Sequence, residues 1–231
     1  RTAEVFPEDV EFEAGLRHPG ASARTMRIAQ RLYENGHITY MRTDSTSLSK
    51  QGLDAARAAA TELYGAEYVS SSPRVYDRKV KNSQEAHEAI RPAGERFTTP
   101  GQLAGSLDAE EFKLYELIWQ RTVASQMRDA RGTSMKVTVL GRADGTPCEF
   151  AATGRTVTFP GWLRAYSDTQ DKETRLPQLA EGDELATNKV TADGHSTNPP
   201  ARYTEASLVK KMEDLGIGRP STYASIIKTI Q

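Results

Sequence analysis

A tyrosine and an arginine stand two residues apart in the segment ITYMRTDS, residues 38–45. The β-branched and aromatic composition of residues 38–42 predicts a short strand, in which Tyr40 and Arg42 share a face. A tyrosine hydroxyl is a poor nucleophile at neutral pH because its ordinary pKa is about 10, and a neighbouring guanidinium favours the phenolate and grips phosphate oxygens. The pair therefore suits attack on a phosphodiester. The alternative is a stacking contact between the two side chains on a half-exposed strand.

A histidine and an arginine form a second candidate in the segment EAHEAIRP, residues 85–92. Residues 84–91 predict a polar helix, in which His87 and Arg91 lie one turn apart on one face. Together they can hold a phosphate or donate a proton to a leaving oxygen. The alternative is an ordinary surface helix in which Glu85 and Glu88 pair with the basic residues.

A glycine turn between two predicted helices forms a third candidate in the segment LGIGRPSTY, residues 215–223. Free backbone N–H groups at the start of the second helix, together with Arg219 and Ser221, favour a bound phosphate. Tyr223, about one helical turn after Arg219, can stack on an unpaired base. A plain helical hairpin with a polar cap accounts for the same residues equally well.

Hydrophobic periodicity divides the chain into a helical first half, a β-rich middle and a helical end, which indicates an α+β protein. The predicted helices cover residues 22–34, 50–64, 109–128, about 202–215, and 221 onward. The predicted strands cover residues 135–139, 149–152, 156–159 and 184–190. We expect the second helix to bury Leu53, Ala56, Ala60 and Leu63.

Composition excludes several classes of protein. The 231 residues suit one or two domains, and the single cysteine, Cys148, indicates a reducing compartment. No apolar stretch approaches the roughly 20 residues that span a bilayer, and no signal peptide is expected. The 30 basic and 31 acidic residues give a net charge of −1, which argues against a dedicated nucleic-acid binder unless the basic residues are grouped.

The motif segments resemble those of bacterial type IA DNA topoisomerases. They are ITYMRTDS, EAHEAIRP and EASLVKKMEDLGIGRPSTYASIIKTIQ, and they occur in the family's order, so that the resemblance covers residues 22–231. It implies cleavage and rejoining of one DNA strand through a 5′-phosphotyrosine link, with relaxation of negative supercoils and no ATP. The implied catalytic residues are Tyr40 as nucleophile, Arg42 orienting the scissile phosphate, and His87 near that phosphate. The implied DNA-binding residues are Arg91, Arg219, Ser221 and Tyr223.

The same resemblance implies a domain order and a set of partners. Residues 1–130 would form a helical domain of winged-helix, CAP-like type that carries the tyrosine. Residues 131–195 would form a β-rich hinge, and residues 196–231 the beginning of a helical domain that binds single-stranded DNA. The expected partners are single-stranded and negatively supercoiled DNA and the remaining domains of a longer enzyme. We expect a monomer in the bacterial cytoplasm, associated with the nucleoid.

The family's Mg²⁺ site is missing from this sequence. Family members bind Mg²⁺ with a glutamate and an Asp-x-Asp-x-Asp set in an N-terminal toprim domain, whereas this chain contains no Asp-x-Asp pair. Its acidic cluster of Asp168, Asp171 and Glu173 has different spacing and is expected to be solvated charge in a loop. We therefore expect no metal on this chain, which we interpret as an internal fragment of the enzyme.

Two other functions use the same residues differently. A non-catalytic DNA-binding module would bind DNA through the last two helices, and Tyr40 would have only a structural role. A tyrosine recombinase also combines Tyr, Arg and His. Its His-x-x-Arg motif, however, is one residue shorter than the spacing from His87 to Arg91, and its tyrosine lies late in the chain.

The missing acidic set leads to a first prediction. The isolated chain should not relax supercoiled DNA, because nothing in it places Mg²⁺ beside the reacting phosphate. A gel assay on a negatively supercoiled plasmid with Mg²⁺ tests this, and adding a separately supplied toprim fragment should restore relaxation. Relaxation by the purified chain alone would contradict the prediction.

Overall fold

The computed structural model describes residues 21–43, 45–76, 88–166, 175–219 and 221–230, with the backbone only for residues 21 and 22. Its helices are α1 (Ala21–Glu34), α2 (Lys50–Tyr64), α3 (Pro100–Leu103), α4 (Ala109–Ser125), α5 (Glu205–Asp214) and α6 (Tyr223–Ile230). Its strands are β1 (Arg131–Ala143) and β2 (Thr146–Phe159), and short 3₁₀ turns cover Ala66–Tyr68 and Gly161–Ala165. The predicted α+β class is confirmed.

Side-chain caps determine where several helices begin. Ser49 accepts the Gly52 N–H at the start of α2, and Asp108 and Glu111 form a capping box at the start of α4. Thr204 caps α5 in the same way. The starts of α2 and α4 are the predicted ones, and α5 begins three residues after its predicted start. A hydroxyl or carboxylate that satisfies the first free N–H groups can be recognised in the sequence.

The first compact unit contains the described residues up to Asp129, residues 160–166, and those from Tyr203 onward. Its main core surrounds α4, whose Ile118 and Val123 are completely buried. Helices α1 and α2 both pack against α4. A smaller core joins α5 and α6, and consists of Val209, Met212, Tyr223 and Ile227.

Helix α2 contacts the core mainly through small residues. Ala56 and Ala60 are fully buried, as predicted, and Leu53 is half-buried. The prediction for Leu63 is wrong, since its side chain is 48% exposed. Leu63 lies in the last turn of α2, beside an open groove that residues 95–99 also line, so no element covers it.

The second compact unit combines Ala130–Phe159 with described residues 175–202. Strands β1 and β2 form one antiparallel hairpin, which joins the two strands predicted over 149–152 and 156–159 into one. The strand predicted over residues 184–190 is wrong. Residues 175–202 form no regular element, because within the described chain β1 and β2 pair with each other and no strand pairs with this segment.

No helix in the described ranges is long and apolar enough to cross a membrane.

The main core leads to a second prediction. Replacing Ile118 with Ala should lower the free energy of unfolding by about 2–5 kcal/mol, because it removes buried methyl groups and leaves a cavity. Leu63→Ala is the matched control in the same unit and should cost less than about 1 kcal/mol. Urea unfolding of the chain, followed by tryptophan fluorescence, measures both. Equal losses of unfolding free energy in the two variants would contradict the observed difference in burial between Ile118 and Leu63.

Candidate active site

The segment that carries Tyr40 is not a strand, so that the prediction for residues 38–42 is wrong. A single antiparallel bridge joins Ile38 to Pro92. The Thr39 hydroxyl interrupts the ladder: it accepts the Arg91 N–H at 3.0 Å and donates to the Ala89 carbonyl at 3.0 Å, and so occupies groups that further backbone pairing would need.

Tyr40 and Arg42 nevertheless share the exposed side of this segment. The side chains of Met41 and Thr43 are buried, with only 5% and 3% of their surface exposed. Tyr40 is 42% exposed, and Arg42 is also exposed. Met41 belongs to the main core and anchors the backbone between the two polar residues. The alternation of buried and exposed side chains is therefore strand-like, although the hydrogen bonding is not.

A second tyrosine lies against Tyr40. The ring of Tyr33, in the last turn of α1, meets the ring of Tyr40 edge to face, with 5.3 Å between centroids. Tyr33 is also 42% exposed. None of the motif segments includes Tyr33; its position seven residues before Tyr40, across the Gly36 turn, was the available indication.

Described residues 40–43 and 45–49, which we call the Tyr40 loop, are held by hydroxyl groups. The Ser45 N–H donates to the Thr43 hydroxyl, and the Ser47 N–H donates to the Ser45 hydroxyl. The hydroxyls of Thr46 and Ser47 both donate to the Tyr76 carbonyl at 3.0 Å. The loop is therefore ordered by specific hydrogen bonds, not by regular secondary structure.

Tyr76 connects this loop to the main core. Its own hydroxyl donates to the Ser125 carbonyl at the end of α4, at 2.9 Å. Next to it, the fully buried side chain of Gln126 accepts the Arg74 N–H and donates to the Arg74 carbonyl, each at 3.0 Å. The position of the Tyr40 loop thus depends on the end of α4.

Arg91 lies inside the protein, not on a DNA-accessible surface. Its side chain is 5% exposed, and its Nε donates to Glu88 Oε1 at 2.6 Å. Its Nη1 donates to the carbonyls of Pro92 and Gly94 at 2.9 and 3.1 Å. Residues 88–91 are not helical, in contrast to the prediction, but the Glu88–Arg91 pairing that we gave as the alternative is present. DNA binding by Arg91 stays a prediction without support from this placement.

Glu88 links Arg91 to the first turn of α2. Besides Arg91, its carboxylate accepts the N–H and the hydroxyl of Ser49, the cap of α2. Burial would raise the pKa of Glu88, but the hydrogen bonds from Arg91 and Ser49 outweigh burial and hold the pKa below its ordinary value of 4.5. The Glu88 carboxyl is therefore ionised at neutral pH.

The turn between the C-terminal helices α5 and α6 differs from the predicted phosphate site. The N–H groups of Thr222 and Tyr223 donate to the Arg219 carbonyl at 2.8 and 3.0 Å, so they are engaged within the turn. The side chains of Arg219 and Ser221 are exposed. Tyr223 is 8% exposed and packs in the smaller core. Its placement favours the packing role of a helical hairpin, and base stacking by Tyr223 stays a prediction.

Two of the predicted features lie outside the described residues. They are His87 and the acidic cluster Asp168, Asp171 and Glu173. Within the described ranges, no group of three or more His, Cys, Asp or Glu residues is arranged to hold a metal ion. The residues described here therefore do not fit a Mg²⁺ site.

Known proteins similar to this chain are DNA topoisomerases. A family model described as DNA topoisomerase matches residues 12–231. DNA topoisomerase 1 of Mycobacterium leprae is 61% identical over 231 residues, which cover 96% of this chain and 24% of that protein. DNA topoisomerase 1 of Streptomyces coelicolor is 60% identical over 230 residues, with the same coverage of 96% and 24%. The chain thus spans about a quarter of the length of the curated relatives it matches.

A solved structure agrees with these relatives. The structure of full-length topoisomerase I from Thermotoga maritima matches with a TM-score of 0.69 and 34% sequence identity, over 98% of this chain and 37% of that one. The family match covers nearly the whole chain, and the fold agrees with that of a solved enzyme of the same name. The chain belongs to the DNA topoisomerase family.

Proposed function

We propose that this chain carries the nucleophile of a type IA DNA topoisomerase and that the nucleophile is Tyr40. The observation that carries the proposal is the placement of Tyr40 and Arg42: both are exposed, and the buried Met41 between them fixes the backbone. A hydroxyl that must reach a phosphodiester has to be accessible and yet held in place.

In the proposed reaction, the Tyr40 oxygen attacks the scissile phosphorus. A phosphotyrosine ester forms to the 5′-phosphate of the downstream fragment, the bond from phosphorus to the 3′-oxygen of the upstream fragment breaks, and the Tyr40 proton ends on that 3′-oxygen. Arg42 holds the non-bridging oxygens and stabilises their charge in the transition state. The reverse attack by the 3′-hydroxyl rejoins the strand. Because the phosphotyrosine ester conserves the free energy of the broken phosphodiester bond, no ATP is needed.

Other residues have less direct roles in the proposal. His87 would contact the phosphate region, and Arg219 and Ser221 would contact the single strand through their side chains. The Mg²⁺ that the family resemblance implies would be bound by a toprim domain outside this chain. Negatively supercoiled DNA is the proposed substrate and the bacterial cytoplasm the proposed site of action, with the enzyme as a monomer.

The third prediction tests the nucleophile with a matched pair of tyrosines. In the full-length protein, Tyr40→Phe should abolish the covalent DNA adduct and supercoil relaxation, a loss of more than about 1,000-fold, because no hydroxyl remains to attack. Tyr33→Phe changes an equally exposed ring in contact with Tyr40 and should keep the adduct. Adducts on a labelled single-stranded oligonucleotide are counted on a denaturing gel.

Binding of the same oligonucleotide provides the second measurement. Tyr40→Phe should bind it as the unmodified protein does, since the ring and its contacts remain. An adduct that persists in Tyr40→Phe would refute the proposal. If no adduct forms even with the unmodified protein while binding is normal, a non-catalytic DNA-binding module becomes the better account.

A further inference from the structure

We infer that Arg91 is a positioning residue for strand cleavage and not a DNA contact: together with Glu88 it fixes both ends of the Tyr40 loop. This inference rests on the proposed function, because it assumes that Tyr40 is the nucleophile. It concerns residues 88–94, which we call the bridging segment.

The first end of the Tyr40 loop is tied to the backbone of the bridging segment. The Thr39 N–H donates to the Arg91 carbonyl at 2.9 Å, and the Arg91 N–H donates to the Thr39 hydroxyl at 3.0 Å. Two residue pairs further along, beyond the Ile38–Pro92 bridge, the Ala93 N–H donates to the His37 carbonyl at 2.9 Å. Thr39, the residue immediately before Tyr40, is therefore bound to the Arg91 backbone through both its N–H and its hydroxyl.

The second end of the loop is tied to the same segment through side chains. The Ser49 N–H donates to Glu88 Oε1 at 2.9 Å, and the Ser49 hydroxyl donates to the same oxygen. The Ala89 N–H donates to the Ser47 carbonyl at 2.8 Å. The two ends of the Tyr40 loop are therefore both held by one short stretch of chain.

Arg91 makes that stretch rigid. Its guanidinium bonds Glu88 on one side and the carbonyls of Pro92 and Gly94 on the other. It also lies over the Phe97 ring, 5.9 Å from the centroid. A phosphate contact would require this buried group to leave four partners, whereas a fixed guanidinium holds residues 88 to 94 in one conformation.

Helix α2 contains a position shaped by this ion pair. A Cβ atom added to Gly52 would lie 2.8 Å from both Arg91 Nε and Glu88 Oε1. Gly52 is buried in the first turn of α2, where its backbone φ is ordinary, so the missing side chain is explained by the ion pair. Gly52→Ala therefore displaces the Glu88–Arg91 pair without changing any charge.

Displacing the pair should change the rate of the chemical step more than DNA affinity. In-line attack needs the nucleophile near its attack geometry, and a shift of about 1 Å costs about 100-fold in rate. A DNA contact behaves differently: losing one phosphate-binding cation weakens binding and lowers the salt dependence of log K by about one.

The fourth prediction compares two variants with two matched controls in the full-length protein. Arg91→Gln and Gly52→Ala remove or displace the pair. Arg96→Gln changes an exposed arginine paired with Glu62, and Gly101→Ala adds a Cβ where no atom lies within 4 Å. Single-turnover adduct formation on a labelled oligonucleotide, at increasing protein concentration, gives the saturating rate. Equilibrium binding at several salt concentrations gives the affinity and its salt slope.

We expect Arg91→Gln and Gly52→Ala to lower the saturating rate by about 10- to 100-fold, with affinity within about twofold and an unchanged salt slope. Both controls should behave as the unmodified protein. A normal saturating rate in Gly52→Ala would overturn the inference, as would an Arg91→Gln variant with weaker binding and a reduced salt slope. Should Arg91→Gln not fold, Gly52→Ala and Glu88→Gln decide by the same criteria. A wild-type adduct on a residue other than Tyr40 would instead refute the proposed function.

Discussion

The ion pair between the buried Arg91 and the half-buried Glu88 is the contact on which the geometry around Tyr40 depends. Removing charged groups from water is costly, and the cost is offset only when the geometry is good and further hydrogen bonds satisfy both groups. Here one carboxylate oxygen accepts from Arg91 and twice from Ser49, and the guanidinium also donates to two backbone carbonyls. These hydrogen bonds hold the irregular backbone on both sides of Tyr40 in a position that leaves the Tyr40 ring exposed.

The sequence predicted the parts of this arrangement that depend on local chemistry. Helix α2 begins and ends where its cap and periodicity indicate, and the exposed side shared by Tyr40 and Arg42 follows from simple alternation. The prediction of a strand at Tyr40 was wrong. β propensity is a local preference, whereas here the Thr39 hydroxyl bonds backbone groups that a second strand would otherwise bond. Long-range pairing, not local preference, decided that point.

The fate of Arg91 shows a second limit of sequence interpretation. An arginine in a polar, helix-like segment next to a proline looks like a surface cation, and nothing in the segment EAHEAIRP indicates that its side chain is buried. The net charge of −1 is similarly uninformative about DNA. Arg24, Arg31, Arg74 and Arg96 pair with carboxylates, whereas within the described chain no carboxylate pairs with Arg42.

Mass mapping of the trapped DNA adduct tests the central claim, that Tyr40 is the nucleophile, most directly. Trypsin cuts after Arg31 and Arg42, so one peptide, residues 32–42, contains both Tyr40 and its neighbour Tyr33. Fragmentation of that peptide after trapping the full-length protein on single-stranded DNA distinguishes the two rings. The account predicts a nucleotide attached through its 5′-phosphate to Tyr40, and attachment to Tyr33 or to any other peptide would contradict it.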